Sequence, residues 1–180
     1  MTQLKLEIKR LSPDAKLPTK AHADDSGFDI YAAEDIVIEP GETAVVKTDI
    51  AVKLPPGHDA YIKPRSGVST KTKLRVVSPP IDAGYRGELG VIVDNIATDT
   101  GKKSFSVLGI DGLREFNDFE GSKKYDGSLR EYLNGSYIIR KGDRIAQLVV
   151  TPVALPQVAE VDELDETERG DGGFGASGVR

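Results

Sequence analysis

The sequence predicts an all-β fold, a jelly roll or a sandwich, from three observations. Apolar and polar residues alternate along short segments, turn residues recur about every ten positions, and the 180-residue chain contains 19 glycines and 10 prolines. The length suits one folded unit with its own core. The chain has no cysteine, which excludes disulfides, thiolate zinc sites and cysteine nucleophiles.

Strands are predicted from the N-terminus onward. In residues 4–11, leucine and isoleucine alternate with charged residues, which is the two-residue period of a half-buried strand. Residues 36–57 contain two apolar segments, each followed by a Pro-Gly pair that marks a turn. Further apolar runs predict strands at 60–64, 88–95 and 136–153.

Residues 97–136 depart from this alternation. They contain two similar pentapeptides, GLREF and SLREY, and Leu129, Tyr132 and Leu133 have the spacing of an amphipathic helical turn. We therefore expect a small, partly helical insert here.

The C-terminal part of the chain changes composition. Six acidic residues lie between Glu160 and Glu168, and glycine dominates the last twelve positions. Such a charged stretch is typical of a solvated connector. The predicted organisation is a β domain over 1–156, an acidic linker over 157–168 and a glycine-rich arm over 169–180.

Charge and hydropathy limit the function classes. The net charge of −5 argues against broad nucleic-acid binding, while one compact anionic ligand remains compatible with it. The first ten residues lack the apolar stretch of a signal peptide, and no apolar run reaches the ~18 residues of a membrane span. We expect a cytoplasmic protein without a membrane partner.

Two glycine-containing segments have the composition of phosphate-binding loops. Arg65, Ser66 and Gly67 offer a guanidinium, a hydroxyl and an approachable backbone, although an ordinary turn has the same composition. The tail RGDGGFGASG combines glycines with one arginine and one phenylalanine, which suits a flap that closes over a nucleotide. Its G-x-G-x-x-G spacing is not a dinucleotide site, because an acidic linker precedes it and no helix follows.

The carboxylates allow two interpretations each. Asp82 precedes Ala83-Gly84 and Tyr85, so it is either a turn aspartate bonded to its own backbone or a functional group. The segment DDSGFDIYA, with Asp29 near its end, suits either a hard cation or a solvated loop. Two distant histidines, His22 and His58, do not suggest a histidine-based metal site.

Five segments taken in order carry a family resemblance. DSGFDI, PRSG, IDAGYRGELG, KGDRIAQL and RGDGGFGASG closely resemble the five motifs of the trimeric dUTPases, over nearly the whole chain outside 97–136. The resemblance implies a jelly-roll homotrimer with active sites at subunit interfaces and a C-terminal arm that closes them. It also implies hydrolysis of dUTP to dUMP and pyrophosphate with Mg²⁺.

The resemblance also implies roles for individual residues. Asp82 would activate the water that attacks the α-phosphorus, and Asp29 would reach Mg²⁺ through water. The nucleoside would be bound by Ile81, Tyr85 and Phe174, with Tyr85 packing against the deoxyribose. The phosphates would be bound by Arg65, Ser66, Gly67, Gln147, Arg169, Gly175 and Ser177.

Three departures from the family pattern stand out. Ala176 replaces a serine that is common in the family, and Pro79 and Pro80 precede Ile81 where a glycine is expected. The insert is similar to inserts in dUTPases of bacteriophages from Gram-positive hosts, which implies a phage or prophage origin. It is either a contact site for a regulatory protein or a plain surface extension.

Two alternatives to the hydrolase remain. The chain is either an enzyme or a nucleotide-sensing regulatory module that binds dUTP and a protein partner through the insert. The related dCTP deaminases have a glutamate seven residues after the aromatic of the third motif. Ile92 stands there in this chain and cannot act as a general acid or base.

Overall fold

The computed structural model describes residues 4–104, 106–116 and 131–172. These residues form short strands and one helix, α1 (Ser66–Lys71), which confirms the all-β class. The strands are β1 (Glu7–Arg10), β2 (Phe28–Tyr31), β3 (Ile36–Ile38), β4 (Thr43–Val46), β5 (Ile50–Lys53), β6 (His58–Pro64), β7 (Leu74–Val77), β8 (Pro80–Ile81), β9 (Val91–Asn95), β10 (Lys103–Ser104), β11 (Ser106–Leu108), β12 (Arg114–Phe116), β13 (Tyr132–Leu133), β14 (Tyr137–Ile139) and β15 (Arg144–Pro152).

The strands pair across long sequence separations. One four-stranded sheet has the order β2-β15-β6-β8, and a second has the order β12-β11-β14-β3. A three-stranded sheet has the order β4-β9-β7, and two further pairs are β1-β5 and β10-β13. The first sheet matters most for function, because its strands carry four of the five motifs.

The core lies between the apolar faces of these sheets. Strand β9 alternates buried and half-buried residues from Val91 to Asn95, as the two-residue period requires. Six of the largest side chains are almost completely buried, and each contributes about 1.5–3 kcal/mol relative to an exposed position. They are Ile30, Ile38, Ile50, Leu74, Leu89 and Leu148.

Each segment predicted as strand contains strand, but 36–57 forms three strands, β3, β4 and β5, where two were predicted, and β6 begins two residues before the predicted 60–64. The segment 136–153 is two strands, β14 and β15, separated by a turn at Gly142, which has a φ of +90°. Gly41 and Gly57 also have positive φ, at +80° and +71°, in the two predicted Pro-Gly turns.

The helical prediction for the insert is wrong where the structure describes it. Tyr132 and Leu133 form β13, which pairs with β10, and residues 114–116 form β12 beside β11. Leu129 lies outside the described residues. Helical spacing was satisfied by chance, because the pairing partners, not the local spacing, decide the conformation.

Buried Asn95 fixes both ends of the insert to the core. Its Nδ2 donates to the carbonyls of Ile38 at 2.9 Å and Gly135 at 3.0 Å, and its Oδ1 accepts the N–H of Ala97 at 3.0 Å. Each polar atom of this side chain is therefore paired, as burial requires. The insert begins and ends at one fixed point of the sheet.

Beyond β15 the described residues 153–172 contain only bends and turns. The boundaries of the linker and the arm stay predictions. No helix among the described residues is long and apolar enough to cross a membrane.

Candidate active site

A cavity of about 200 Å³ lies beside the segment that follows β8. Its walls come from β6, the end of β7, the two prolines, and the turn that leads to β9. The lining residues are Ile62, Val77, Pro79, Pro80, Ile81, Asp82, Tyr85, Glu88, Leu89 and Gly90. Three sequence-predicted residues, Ile81, Asp82 and Tyr85, thus lie together.

Asp82 stands at the start of a tight turn. Its carbonyl accepts the N–H of Tyr85 at 3.0 Å, so Ala83 and Gly84 occupy the centre of the turn as predicted. Its side chain is exposed at the cavity, and within the described part of the chain its carboxylate accepts no hydrogen bond. The interpretation as a turn aspartate bonded to its own backbone therefore finds no support.

Tyr85 closes one side of the cavity. Its hydroxyl donates to the carbonyl of Glu88 at 2.9 Å, and the residue keeps 47% of its surface exposed. The ring lies so close to Gly87 that an added Cβ would be 2.4 Å from the tyrosine oxygen. Glycine is needed at position 87 to let the ring adopt this orientation.

A second cluster surrounds the buried carboxylate of Asp29 on β2. Its Oδ1 accepts Arg65 Nε at 3.1 Å and Gln147 Nε2 at 3.3 Å, while its Oδ2 accepts Arg144 Nη1 at 3.3 Å. Asp29 is 5% exposed, whereas the Arg144 side chain is 52% exposed. One negative and two positive charges leave a net positive group at the surface, which suits a polyanionic ligand.

Arg144 is not among the site residues predicted from the sequence, although it lies in the KGDRIAQL segment. In a regular strand, residues 144 and 147 point to opposite faces. Here the register with β2 shifts between Arg144 and Ala146, so the strand contains a β-bulge. The bulge places the Arg144 guanidinium on the same carboxylate as Gln147. The sequence signal for Arg144 was its place three residues before Gln147 in the same motif.

Arg65 lies where β6 passes into α1. Its Nη1 also donates to the carbonyl of Arg144 at 3.0 Å, so two contacts hold the guanidinium in place. Ser66 and Gly67 follow at the exposed start of the helix, and a Cβ added to Gly67 would meet nothing within 4 Å. The backbone here is open to a ligand.

The cavity and the Asp29 cluster are separate within one chain. Ile81 pairs with Ala60 on β6, and Arg65 follows Ala60 by five residues, which is about 17 Å of extended strand. Strand β8 is antiparallel to β6, so Asp82 lies still further from Arg65. A single chain does not bring Asp82 together with Arg65, Ser66, Gly67 and Gln147.

The arm residues contribute little to the described structure. Arg169 Nε donates to the carbonyl of Gly172 at 2.9 Å, a local turn contact away from both clusters. Phe174, Gly175, Ala176 and Ser177 lie outside the described residues.

The described residues contain no group of three or more His, Asp or Glu side chains arranged as metal ligands. Asp25 accepts the N–H of His22 at 2.8 Å and serves its own turn. Asp29 already accepts three N–H donors. These carboxylates fit an ion that is held mainly by ligand phosphates and water, which is the usual coordination of Mg²⁺ at nucleotide sites.

Comparison with known proteins gives one consistent family. The family model for dUTPase matches residues 13–104 and 129–178, and leaves 105–128 unmatched. The chain is 39% identical over 178 residues to the deoxyuridine 5'-triphosphate nucleotidohydrolase of Gloeothece citriformis, which covers 98% of each chain. It is 38% identical over 180 residues to that of Clostridium tetani, which covers 99% of each chain.

Solved structures agree. The dUTPase of Staphylococcus bacteriophage 80alpha with dUPNHPP is 41% identical, with a TM-score of 0.86, over 97% of this chain and 99% of that one. A variant dUTPase of phage phi11 of S. aureus, described with a structural Mg(II) ion, is 37% identical, with a TM-score of 0.80, over 90% of this chain and 99% of that one.

Proposed function

This chain belongs to the dUTPase family and hydrolyses dUTP to dUMP and pyrophosphate, and we propose that Asp82 activates the attacking water. The observation that carries this assignment is the exposed Asp82 carboxylate at the cavity. A carboxylate accepts a proton from water while the water oxygen forms a bond to the α-phosphorus. The bond from the α-phosphorus to the bridging oxygen breaks, and pyrophosphate leaves.

The cavity suits the nucleoside. Its apolar walls, which include Ile81 and the exposed ring of Tyr85, offer a surface for a base and a sugar. We assign Ile81 to the uracil and Tyr85 to the deoxyribose. Phe174 would cap the uracil from the arm.

The Asp29 cluster suits the triphosphate. Arg65 and Gln147, with Ser66 and Gly67, would donate to phosphate oxygens. When bound, Mg²⁺ offsets negative charge on the triphosphate and on the leaving pyrophosphate. Asp29 would contact it through water. Arg169, Gly175 and Ser177 of the arm would complete the phosphate contacts.

We further propose that the two clusters meet between subunits of a homotrimer. The support is their separation by about 17 Å of β6 within one chain. A substrate-sized site then needs the cavity of one chain and the Asp29 cluster of another.

The test of Asp82 is pyrophosphate release from dUTP by Asp82→Asn. We expect a loss of about 10²–10⁴-fold in turnover, the usual contribution of a general base. Asp99→Asn is the matched control, because Asp99 accepts the N–H of Gly101 at 2.7 Å in a turn outside both clusters. Turnover of Asp82→Asn equal to that of the control contradicts the assignment.

The test of the shared site is a mixing experiment. Asp82→Asn and Arg65→Ala trimers are each expected to be inactive, and they are unfolded together and refolded. If each site takes these residues from different chains, one of the three sites in every mixed trimer regains both, which is about a quarter of all sites after equal mixing. Activity that stays at the level of the separate variants contradicts a shared site.

We also propose that the segment 105–128, which the family model leaves unmatched, contacts a protein partner. One support is a phage relative, the 80alpha dUTPase, which is described as controlling transfer of virulence genes by a G protein-like mechanism. Deletion of 117–128, which keeps β11 with its buried Val107, should keep dUTP hydrolysis and lose binding of the protein partner. A purely sensing module and a dCTP deaminase are not favoured, because the full-length relatives are nucleotidohydrolases.

A further inference from the structure

Glu88 connects the nucleoside cavity to a distant loop of the chain. Its Oε1 accepts the N–H groups of Thr48 at 3.1 Å and of Asp49 at 2.9 Å. Its carbonyl accepts the hydroxyl of Tyr85 at 2.9 Å. One residue thus contacts the tyrosine with its backbone and the loop between β4 and β5 with its side chain.

The loop that Glu88 contacts has an unusual conformation. Asp49 has a φ of +55°, the one positive φ of a non-glycine residue among the described residues. Such a conformation has a free-energy cost for residues with a Cβ and persists where surrounding contacts fix it. The Glu88 carboxylate supplies such a contact, because both N–H groups at this bend point to the same oxygen.

Neighbouring contacts join the same two segments. The hydroxyl of Thr48, a residue 2% exposed, donates to the carbonyl of Leu89, and the N–H of Leu89 donates to the carbonyl of Ile50 at 2.8 Å. The backbone of Glu88 also forms an isolated antiparallel bridge with Ala51, and the two carboxylate bonds extend this pairing to Thr48 and Asp49. Tyr85 is nearly half exposed, and among the described residues its side chain makes one hydrogen bond, from its hydroxyl to the Glu88 carbonyl.

We propose that Glu88 is a positioning residue that sets the Tyr85 ring against the sugar and so determines the preference for deoxyribose over ribose. This inference rests on the proposed role of Tyr85. A ring held at one distance leaves no room for a 2′-hydroxyl, whereas a ring that moves by an ångström admits it. The carboxylate bonds reinforce the bridge that holds the Glu88 backbone, and the Glu88 carbonyl holds the hydroxyl of the ring.

The experiment compares Glu88→Ala, Glu88→Gln and a control, Glu42→Ala. Glutamine keeps an oxygen that accepts both N–H groups, so Glu88→Gln should recover most of the discrimination that Glu88→Ala loses. Glu42 Oε2 accepts the N–H of Glu39 at 2.8 Å in the turn between β3 and β4, so its removal costs a similar bond away from the cavity.

The readout is kcat/KM for dUTP and for UTP. We expect Glu88→Ala to raise KM for dUTP about tenfold, with a smaller change in kcat. The kcat/KM for dUTP divided by that for UTP should fall about tenfold. Glu42→Ala should keep the wild-type ratio. An unchanged ratio in folded Glu88→Ala, or an equal change in Glu42→Ala, overturns the proposal.

Two further measurements separate the possible failures. Equilibrium binding of dUPNHPP, the ligand of the phage 80alpha structure, and of its ribose counterpart gives the ratio of deoxyribose to ribose affinity without turnover. An error in the catalytic assignment does not affect this ratio. If Glu88→Ala does not fold, Asp49→Gly is added, because glycine adopts a φ of +55° without a Cβ penalty. The folded double variant should still lose the deoxyribose preference, and a wild-type ratio overturns the inference.

Discussion

Arg144 Nη1 donates to Asp29 Oδ2 at 3.3 Å, on the carboxylate oxygen that Arg65 and Gln147 do not use. The buried carboxylate therefore orients two cations and one amide at once. Asp29 contributes to the site by orienting these groups as well as by its charge, because each N–H group is fixed before a phosphate arrives.

Asp29→Asn should disperse this cluster. An amide cannot pair with both guanidinium groups, so KM for dUTP should rise at least about tenfold. The free energy of unfolding should fall by about 1–3 kcal/mol, less than for a fully buried pair because Arg144 is half-exposed. Enzyme kinetics and denaturant unfolding measure both effects. Asp35→Asn, which removes a surface pair with Arg140, should cost below about 1 kcal/mol and leave KM unchanged.

Arg144→Lys tests the contribution of the guanidinium that the bulge places on Asp29. Lysine keeps the charge but lacks the planar fork, so kcat/KM for dUTP should fall about tenfold with little change in melting temperature. Arg140→Lys, at another surface carboxylate pair, is the control and should retain kcat/KM. Equal activity of the two variants would show that Arg144 acts only as a diffuse charge.

Pro79→Gly tests the departure in the cavity wall. Proline has no N–H, so the wall offers no donor at positions 79 and 80. Glycine adds one donor, which suits the carbonyl oxygens of uracil, and the kcat/KM ratio of dUTP to dCTP should rise severalfold. The melting temperature should fall, because glycine restores about 0.4–1 kcal/mol of conformational entropy to the unfolded chain. A ratio that stays constant would mean that this side of the cavity does not contact the base.

Removal of residues 169–180 tests the predicted arm. The described contacts of Arg169 are local, so the β domain should keep its melting temperature and oligomeric state. Turnover of dUTP should fall by about 10²–10³-fold, as for loss of donors to a developing charge. Phe174→Ala should raise KM without the full loss of turnover. A shortened chain with wild-type turnover would contradict an active role for the arm.

Thr151→Val tests the cause of the lowered pKa of Asp59 on β6. The Thr151 hydroxyl, by donating to Asp59, holds the pKa of that carboxyl below its usual range. In the variant the pKa should rise toward the ordinary value of about 3.9, as followed by NMR titration.

The stability effect of this contact depends on pH in one direction. A carboxyl with a lowered pKa in the folded state stabilises the protein above its unfolded pKa, and this contribution disappears as pH falls through the folded pKa. The difference in melting temperature between wild type and Thr151→Val should therefore be present near neutral pH and shrink below about pH 4. Tyr61→Phe removes a lesser contact to Asp59 and should shift its pKa less. An unchanged Asp59 titration in Thr151→Val contradicts the assignment.

Much of the fold was predictable because strands show a local period. Strand β1 follows apolar alternation, strands β9 and β15 follow apolar runs, and the turns at Gly41, Gly57 and Gly142 follow from residues that tolerate positive φ. Helix α1 was missed, since SGVSTK has no apolar stripe and few strong helix formers. The strands of the insert were missed because their pairing joins β10 to β13 across residues that carry no alternation.

The residues of the candidate site were predictable from the sequence, but their grouping in space was not. Motif order identified Asp82, Tyr85, Arg65 and Gln147, and Asp82 and Tyr85 do line one cavity. Pairing of Ile81 with Ala60 then separates this pair from Arg65, and register is a property that spacing along the chain does not reveal. The place of Arg144 in the cluster depends on a β-bulge. The contact of Glu88 depends on the conformation of Asp49, some forty residues earlier in the chain.

The insert strands lie at the edge of a sheet, with β12 outermost, β11 next to it and β14 behind. Behind them, Asn95 hydrogen-bonds to Ile38 of the core and to Ala97 and Gly135 at the two ends of the insert. An evolving lineage can lengthen or shorten such an edge without reordering the strands that remain, since no later strand threads through it. The segment 105–128 can thus diverge at its own pace while the catalytic sheet stays under separate selection.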